Sequence, residues 1–186
     1  DPCEHVMYIQ KGGVKLSVRS QAGREGVVAV LGRGDFFGEG CLGGQMQRVD
    51  DSAHRNPRKL EVPVRYGGVS GADLEAVAAS KGISSVDVIR IHGEREYTVY
   101  MMGFTPGFPY MGILDERLVM QRLETPRVLV KAGTVAIAGS QTGIYPLDSP
   151  GGWHMLGWTP LKLFDPASES PFLFAPGDIV KFMPLE

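Results

Sequence analysis

The 186-residue sequence predicts a mainly β protein, a closed or nearly closed β-barrel carrying two short helices. Three observations carry this. Glycine (25) and proline (13) are both abundant, which favours a turn-rich β architecture over a helical bundle. From Leu60 onward, short apolar segments recur between Gly and Pro breaks, as in a barrel. Only two stretches, 70–82 and 84–93, combine helical spacing with capping residues.

The elements follow in order. Val6–Gln10, Val14–Arg19 and Val27–Leu31 read as a β-meander, turned at Lys11-Gly-Gly and Gln21-Ala-Gly-Arg. Gly32–Leu42 is a Gly-rich loop. An acidic residue between glycines suits hydroxyl binding, because a carboxylate and free backbone N–H groups converge there. Residues 49–59 are polar and charged and carry Pro57, so they predict a linker between two domains. Leu60–Tyr66 is an edge-type strand, since Pro63 cannot donate to a central ladder. Ser70 caps a first helix with Asp73 at its third position; Leu74, Val77 and Ala78 share its apolar face, and Gly82 ends it. Ser84 or Ser85 caps a second helix bearing Val88, Ile89 and His92, stopped by Gly93. Glu96–Met102 is a strand, and Leu114–Leu118 one helical turn. Arg127–Val130, Thr134–Ala138, His154–Trp158, Pro160–Phe164 and Asp178–Phe182 complete the strands.

Two segments stand apart, Gly103–Gly112 and Gly139–Trp153. They are rich in Gly, Pro and aromatic residues and poor in charge. Glycine opens unusual backbone angles, proline fixes φ, and aromatic rings give flat contact area. They predict rigid, shaped loops lining a surface feature.

Composition narrows the function. The formal net charge is -2 and no basic run occurs, so no nucleic acid partner is expected. No apolar run approaches the roughly 20 residues that span a bilayer, so no membrane partner is expected. Asp1-Pro-Cys-Glu-His5 lacks the features of a secretory leader, and Cys3 and Cys41 are too few for a disulfide scaffold. A cytoplasmic location with reduced thiols is expected.

Familiar catalytic motifs are missing: there is no Gly-x-Ser-x-Gly, phosphate-binding loop, HExxH or CxxC. The histidines, at positions 5, 54, 92 and 154, lack metal-ligand spacing, so no metal site is expected. His92 is a weak candidate. It can pair with Glu94 or Glu96 for acid–base work, but a helix C-terminal His assisting the dipole is the simpler reading. His154 reads as a strand residue beside a loop. Asp148, Ser149 and Asp178 read as turn residues. Arg122, Arg127 and Lys131 form a sparse basic group able to hold a carboxylate or phosphate, with a solvated loop as the simpler account. Of these, Arg127 is retained as a weak candidate. Gln141, Thr142 and Tyr145 are better placed to hydrogen-bond a substrate or partner. Phe104, Phe108, Tyr110 and Trp153 would supply an apolar floor, although local packing is expected to explain at least half of the aromatic residues. No catalytic residue is assigned.

Tyr8–Leu16 and Leu31–Leu42 resemble part of the cyclic-nucleotide-binding domain of Crp-type regulators. The resemblance implies a partial cyclic-nucleotide-binding-like segment, an incomplete β-roll, over residues 1–48. Its vestigial nucleotide site would comprise Gly38 and Glu39 at the ribose and Arg48 at the cyclic phosphate. The sequence after Arg48 departs from that family's pattern, so nucleotide binding is not the expected role.

A second resemblance covers residues 58–186, with the barrel domain expected over residues 60–186. Val62-Pro-Val-Arg-Tyr66, Gly103–Gly112, Thr125-Pro-Arg127, Gly139-Ser-Gln-Thr-Gly-Ile-Tyr-Pro146, Ser149-Pro-Gly-Gly-Trp153, Gly157–Asp165 and Pro176-Gly-Asp178 are similar, in order, to motifs of the KipI/PxpB family. Its members are known as the 5-oxoprolinase B-subunit, allophanate hydrolase subunit 1 or carboxyltransferase subdomain C/D. The resemblance implies a cyclophilin-like β-barrel. The family's small α/β domain ahead of the barrel is expected to be replaced here by the nucleotide-like segment. The implied function is that of a B-subunit-like component of an ATP-dependent 5-oxoprolinase, which opens 5-oxo-L-proline to L-glutamate. Such a chain would be a non-autonomous subunit of an amide hydrolase. Its partners would be a KipA/PxpC-like subunit and a LamB/YcsF (PxpA)-like subunit. No cofactor is expected on this chain alone, with ATP used by the assembled complex. The alternative implied by the family is a KipI-like, non-catalytic inhibitor of a sensor histidine kinase.

Overall fold

The computed structural model describes residues 57–185 in full, and before them the backbone of five short strands. These are β1 (Met7–Tyr8), β2 (Val14–Arg19), β3 (Glu25–Leu31), β4 (Phe36–Phe37) and β5 (Met46–Arg48). The three expected strands of this region recur, but they do not form a simple meander. β2 pairs antiparallel with β3 and β5, whereas β1 pairs with β4. Gly38 and Glu39 lie outside the described residues, as does most of the expected linker, and Arg48 is described only as backbone.

The remaining strands are β6 (Lys59–Tyr66), β7 (Glu96–Met102), β8 (Pro109–Gly112), β9 (Arg127–Val130), β10 (Thr134–Ala138), β11 (Gln141–Ile144), β12 (Ser149–Gly151), β13 (His154–Trp158) and β14 (Ile179–Pro184). Seven of them close a barrel in the order β6-β13-β10-β11-β8-β7-β14, with β14 returning to β6. Only the β6–β14 pair is parallel. β9 and β12 form a separate two-stranded ribbon.

Sequence and structure agree on the mainly β class, the barrel and the two helices. They differ at several element boundaries. β6 begins at Lys59, inside the expected linker, and it is not an edge strand. β13 pairs only with its last residues, Arg65 and Tyr66, so Pro63 has a ladder partner on one side alone, Met183 of β14. Pro160–Phe164 is not a strand; only an isolated bridge links Phe164 to Phe172. The two special segments are not simply loops either, since they contain β8, β11 and β12. Pro109 is tolerated as the first residue of β8, and Pro150 falls at the register shift of the two-stranded ribbon, between the paired residues Ser149 and Gly151.

Helix α1 (Leu74–Lys81) starts at Asp73, not Ser70, because a 3-10 turn over Val69–Gly71 occupies the expected first turn. Gly82 ends it in the left-handed region (φ 65), and its N–H reaches the carbonyls of Ala78 and Ala79. Helix α2 (Ser85–Glu94) is capped as expected by Ser84, whose hydroxyl accepts from the Asp87 N–H at 3.0 Å. It runs past Gly93 to Glu94 and ends where Arg95 becomes extended.

Alternation along the barrel strands separates two cores. Val62, Val64, Tyr97, Val99, Ile137 and Phe182 belong to the main core, to which the helices add Leu74, Val77, Val88 and Ile91. Phe108, Val130, Ala136, Ala138, Tyr145, Trp153 and Met155 form a second cluster, with Tyr110 against it. On β10 the two sets alternate, so all five residues are buried, because both faces of that strand are covered. Arg58 anchors the start of β6. Its Nε and Nη2 donate to the buried Asp178 carboxylate, and Nη2 also reaches the Leu173 carbonyl at 2.9 Å. Asp178 accepts from the Ala175 N–H as well, the expected turn role.

Candidate functional site

The structure gathers Phe104, Phe108, Tyr110, Tyr145 and Trp153 into one aromatic cluster. Phe108 is its hub, with ring centroids 4.9 Å from Tyr110, 5.2 Å from Tyr145, 5.4 Å from Trp153 and 5.7 Å from Phe104. The three closer to edge-on geometry match the preference of aromatic quadrupoles. Phe108, Tyr145 and Trp153 are buried, so local packing accounts for them, as expected for at least half of the set. Phe104 is the exposed member (61%), held at φ 63 where a non-glycine side chain is uncommon.

The Tyr145 hydroxyl reaches the ribbon at Gly151. A Cβ there would stand 2.1 Å from that oxygen, so only glycine admits the approach. Burial raises the Tyr145 phenol above its usual range, while the Trp153 backbone hydrogen bond and the charges of Arg122 and Arg127 act the other way. Burial also raises Tyr110, opposed by Arg122.

Arg127 does not join Lys131 in a basic loop. Its Nη2 donates to Asp73 at 2.6 Å, and the other Asp73 oxygen accepts the Met155 N–H at 2.7 Å. Lys131 instead pairs with Asp148, which also accepts the Ala132 N–H. Arg122 lies over the Trp153 ring, 5.9 Å from its centroid. Among the described residues, three buried polar atoms lack a hydrogen-bond partner: Arg127 Nη1, Ser149 Oγ and Thr105 Oγ1. Asp73 and Arg122 are the residues that sequence reasoning undervalued. Asp73 looked like a helix-start residue, and nothing in the spacing revealed a partner 54 positions away.

Thr142 does not face the aromatic cluster. It is fully buried on the barrel's inner side, and its hydroxyl donates to the Ala136 carbonyl at 3.2 Å. Gln141 is half-buried at the β11 start, opposite Gly112. The Thr142 oxygen lies 2.9 Å from His92 Nε2, and Tyr66 Oη lies 2.6 Å from His92 Nδ1. With the threonine hydrogen directed to Ala136, Nε2 carries the imidazole proton and Nδ1 accepts from Tyr66. His92 stacks on Phe182 at 4.5 Å. Neither expected role of His92 is found. Glu94 pairs with Arg90 and Glu96 with Lys59, so no carboxylate joins the ring. Although His92 stands in the last turn of α2, its side chain is fully buried in the core, where burial disfavours the charged form that would assist the dipole.

Burial lowers the His92 pKa to about 3 from 6.5. The unfolded chain therefore binds the extra proton first as pH falls. His92 should leave stability intact above pH 6.5 and reduce it as pH drops from there towards 3. The slope should approach about 1.4 kcal/mol per pH unit. Urea denaturation across pH 4–7 checks this, and His92→Gln should flatten that part of the profile. An unchanged profile in the variant would assign the acid sensitivity elsewhere.

Among the described residues no group of three or more His, Cys, Asp or Glu side chains can hold a metal ion. No helix among them is long and apolar enough to cross a membrane. His154 Nε2 lies 2.7 Å from the Gln121 carbonyl, a structural tie beside the cluster.

Residues 41–174 match the family model described as carboxyltransferase domain, subdomain C and D, and residues 1–53 match the cyclic nucleotide-binding domain model. The chain is 53% identical over 127 residues to the 5-oxoprolinase B-subunit of Escherichia coli O157:H7, covering 68% of this chain and 58% of that one. It is 51% identical over 139 residues to the Bacillus subtilis protein of the same name, covering 75% of this chain and 58% of that one. The chain thus spans less than two thirds of the length of these relatives. A crystal structure of the conserved uncharacterized protein PH0987 from Pyrococcus horikoshii superposes with a TM-score of 0.67 at 50% identity, covering 69% of this chain and 60% of that one. By the extent of the family match and the identity to these relatives, the chain belongs to the family of carboxyltransferase domains, subdomain C and D.

Proposed function

We propose that this chain is the B-subunit-like component of an ATP-dependent 5-oxoprolinase, an amide hydrolase that converts 5-oxo-L-proline to L-glutamate only as an assembled complex. The observation that carries the reading is its identity of 50% or more to relatives named as 5-oxoprolinase B-subunits from three different bacteria. The site agrees with a shared role. It offers rigid aromatic surface and guanidinium groups, but the two buried imidazoles among the described residues are engaged, His92 by Tyr66 and Thr142 and His154 by the Gln121 carbonyl. The partners would be a KipA/PxpC-like subunit and a LamB/YcsF (PxpA)-like subunit, with ATP used by the complex.

Mixing this chain with those two subunits should give glutamate release that requires ATP and all three components. No release, with a full-length relative active in the same assay, would reject the proposal.

A further inference from the structure

We propose that the inner face of the β9–β12 ribbon, together with Arg122, forms a binding site for the carboxylate of a small, flat cyclic acid, the lactam-acid class to which 5-oxo-L-proline belongs. The assignment rests on the 5-oxoprolinase reading for its choice of ligand, but its geometry stands on independent observations.

Two of the three unpartnered buried polar atoms belong to this one ribbon. Arg127 spends Nη2 on Asp73 and keeps Nη1 without an acceptor, and Ser149 Oγ has no partner. A buried polar group left unpaired is costly, on the order of 1–3 kcal/mol, so two on one short ribbon point to a ligand that completes them. The register sets Arg127 opposite Gly151 and Ser149 opposite Val130, so the two stand at successive pairs of the same ribbon, two residues apart along β12. The other side of the ribbon is different in kind, exposing Val128 and Leu129. Gly151 in turn meets the Tyr145 hydroxyl, so an oxygen donor stands beside the same strand.

Arg122 adds the charge. It is exposed, rests on Trp153, and forms no ion pair among the described residues, although Glu124 is two positions away. Its backbone is fixed beside the ribbon, because the Leu123 N–H donates to the Gly152 carbonyl at 2.8 Å. Asp73 balances one of the two guanidinium charges, which leaves one positive charge uncompensated. That balance suits a monoanion. A planar carboxylate accepts in the plane of a guanidinium fork, and the exposed ring of Phe104, 6.4 Å from that of Tyr145, offers a flat face to a five-membered ring. A phosphate dianion would retain a net negative charge there.

The test titrates the full chain with 5-oxo-L-proline and follows the Trp153 indole N–H resonance, with Trp158 as the internal control. Saturable movement of Trp153 is expected. Arg122→Gln should weaken the response about tenfold, as should Ser149→Ala to a lesser degree. Arg122 is exposed, so its variant should keep the wild-type spectrum elsewhere. 2-Pyrrolidinone, which has the ring without the carboxylate, should bind at least tenfold more weakly. The inference is overturned if Trp153 does not respond, if Arg122→Gln binds as wild type, if 2-pyrrolidinone binds equally, or if inorganic phosphate binds as tightly. Failure of the 5-oxoprolinase reading is seen separately, as absence of ATP-dependent glutamate release by the wild-type mixture. Turnover with an unchanged KM in Arg122→Gln would reject the carboxylate site alone.

Discussion

Replacing Phe108 with alanine is expected to destabilise the protein by about 3–5 kcal/mol, the range for truncating a buried aromatic residue. Phe108 is 1% exposed and touches four other rings, so its loss opens a cavity that no neighbour can fill without leaving its own contacts. Urea denaturation measures the loss, and near-ultraviolet dichroism should show weaker signals from the remaining rings. A cost below about 1 kcal/mol would mean that the cluster relaxes around the gap, against the packing described above.

Asp73→Ala is expected to cost about 2–4 kcal/mol, because it breaks a largely buried ion pair and leaves a cation behind. The carboxylate is the acceptor for both Arg127 and the Met155 N–H, linking α1 to the ribbon and to β13. The upper range for buried pairs is not reached, since the Arg127 side chain is 29% exposed and water relieves part of its charge. Asp73→Asn should recover part of the loss by keeping an acceptor for Met155. Removing the stranded charge as well, in Asp73→Ala with Arg127→Met, should be less harmful than Asp73→Ala alone. Denaturant midpoints of the three variants check the order. Equal stability of Asp73→Ala and wild type would rule out a structural role for the pair.

Much of the fold was legible where local chemistry is decisive. Glu96–Met102 alternates over its first half and forms β7, with a register shift after Val99, and the Ser84 cap and the Gly82 stop act as their residue types predict. Pro160–Phe164 alternates too, yet contributes no strand: the barrel closes with seven others, and this segment is left to bridge Phe172. Periodicity identifies a segment able to pair but does not tell whether a ladder has room for it. The aromatic cluster was visible because its residues concentrate in two short segments. Its charged surroundings were not, since Asp73 and Arg127 meet only through tertiary structure. Thr142 shows a different limit. Its neighbours in the sequence suggested a shared face, but a one-residue step in a strand reverses the side chain's direction, and Thr142 points inward.

That reversal makes β11 a thin diaphragm. Thr142 grips His92 on one side, while a Cβ on adjacent Gly143 would stand 2.8 Å from the Phe108 ring on the other. A single peptide unit separates the polar centre of the barrel from the aromatic layer outside. A displacement of Phe108 is therefore expected to bear on backbone that also sets the imidazole's hydrogen bond. The His92 ring resonances should then shift when Phe108 is replaced, and unchanged resonances would mean that the two layers are independent.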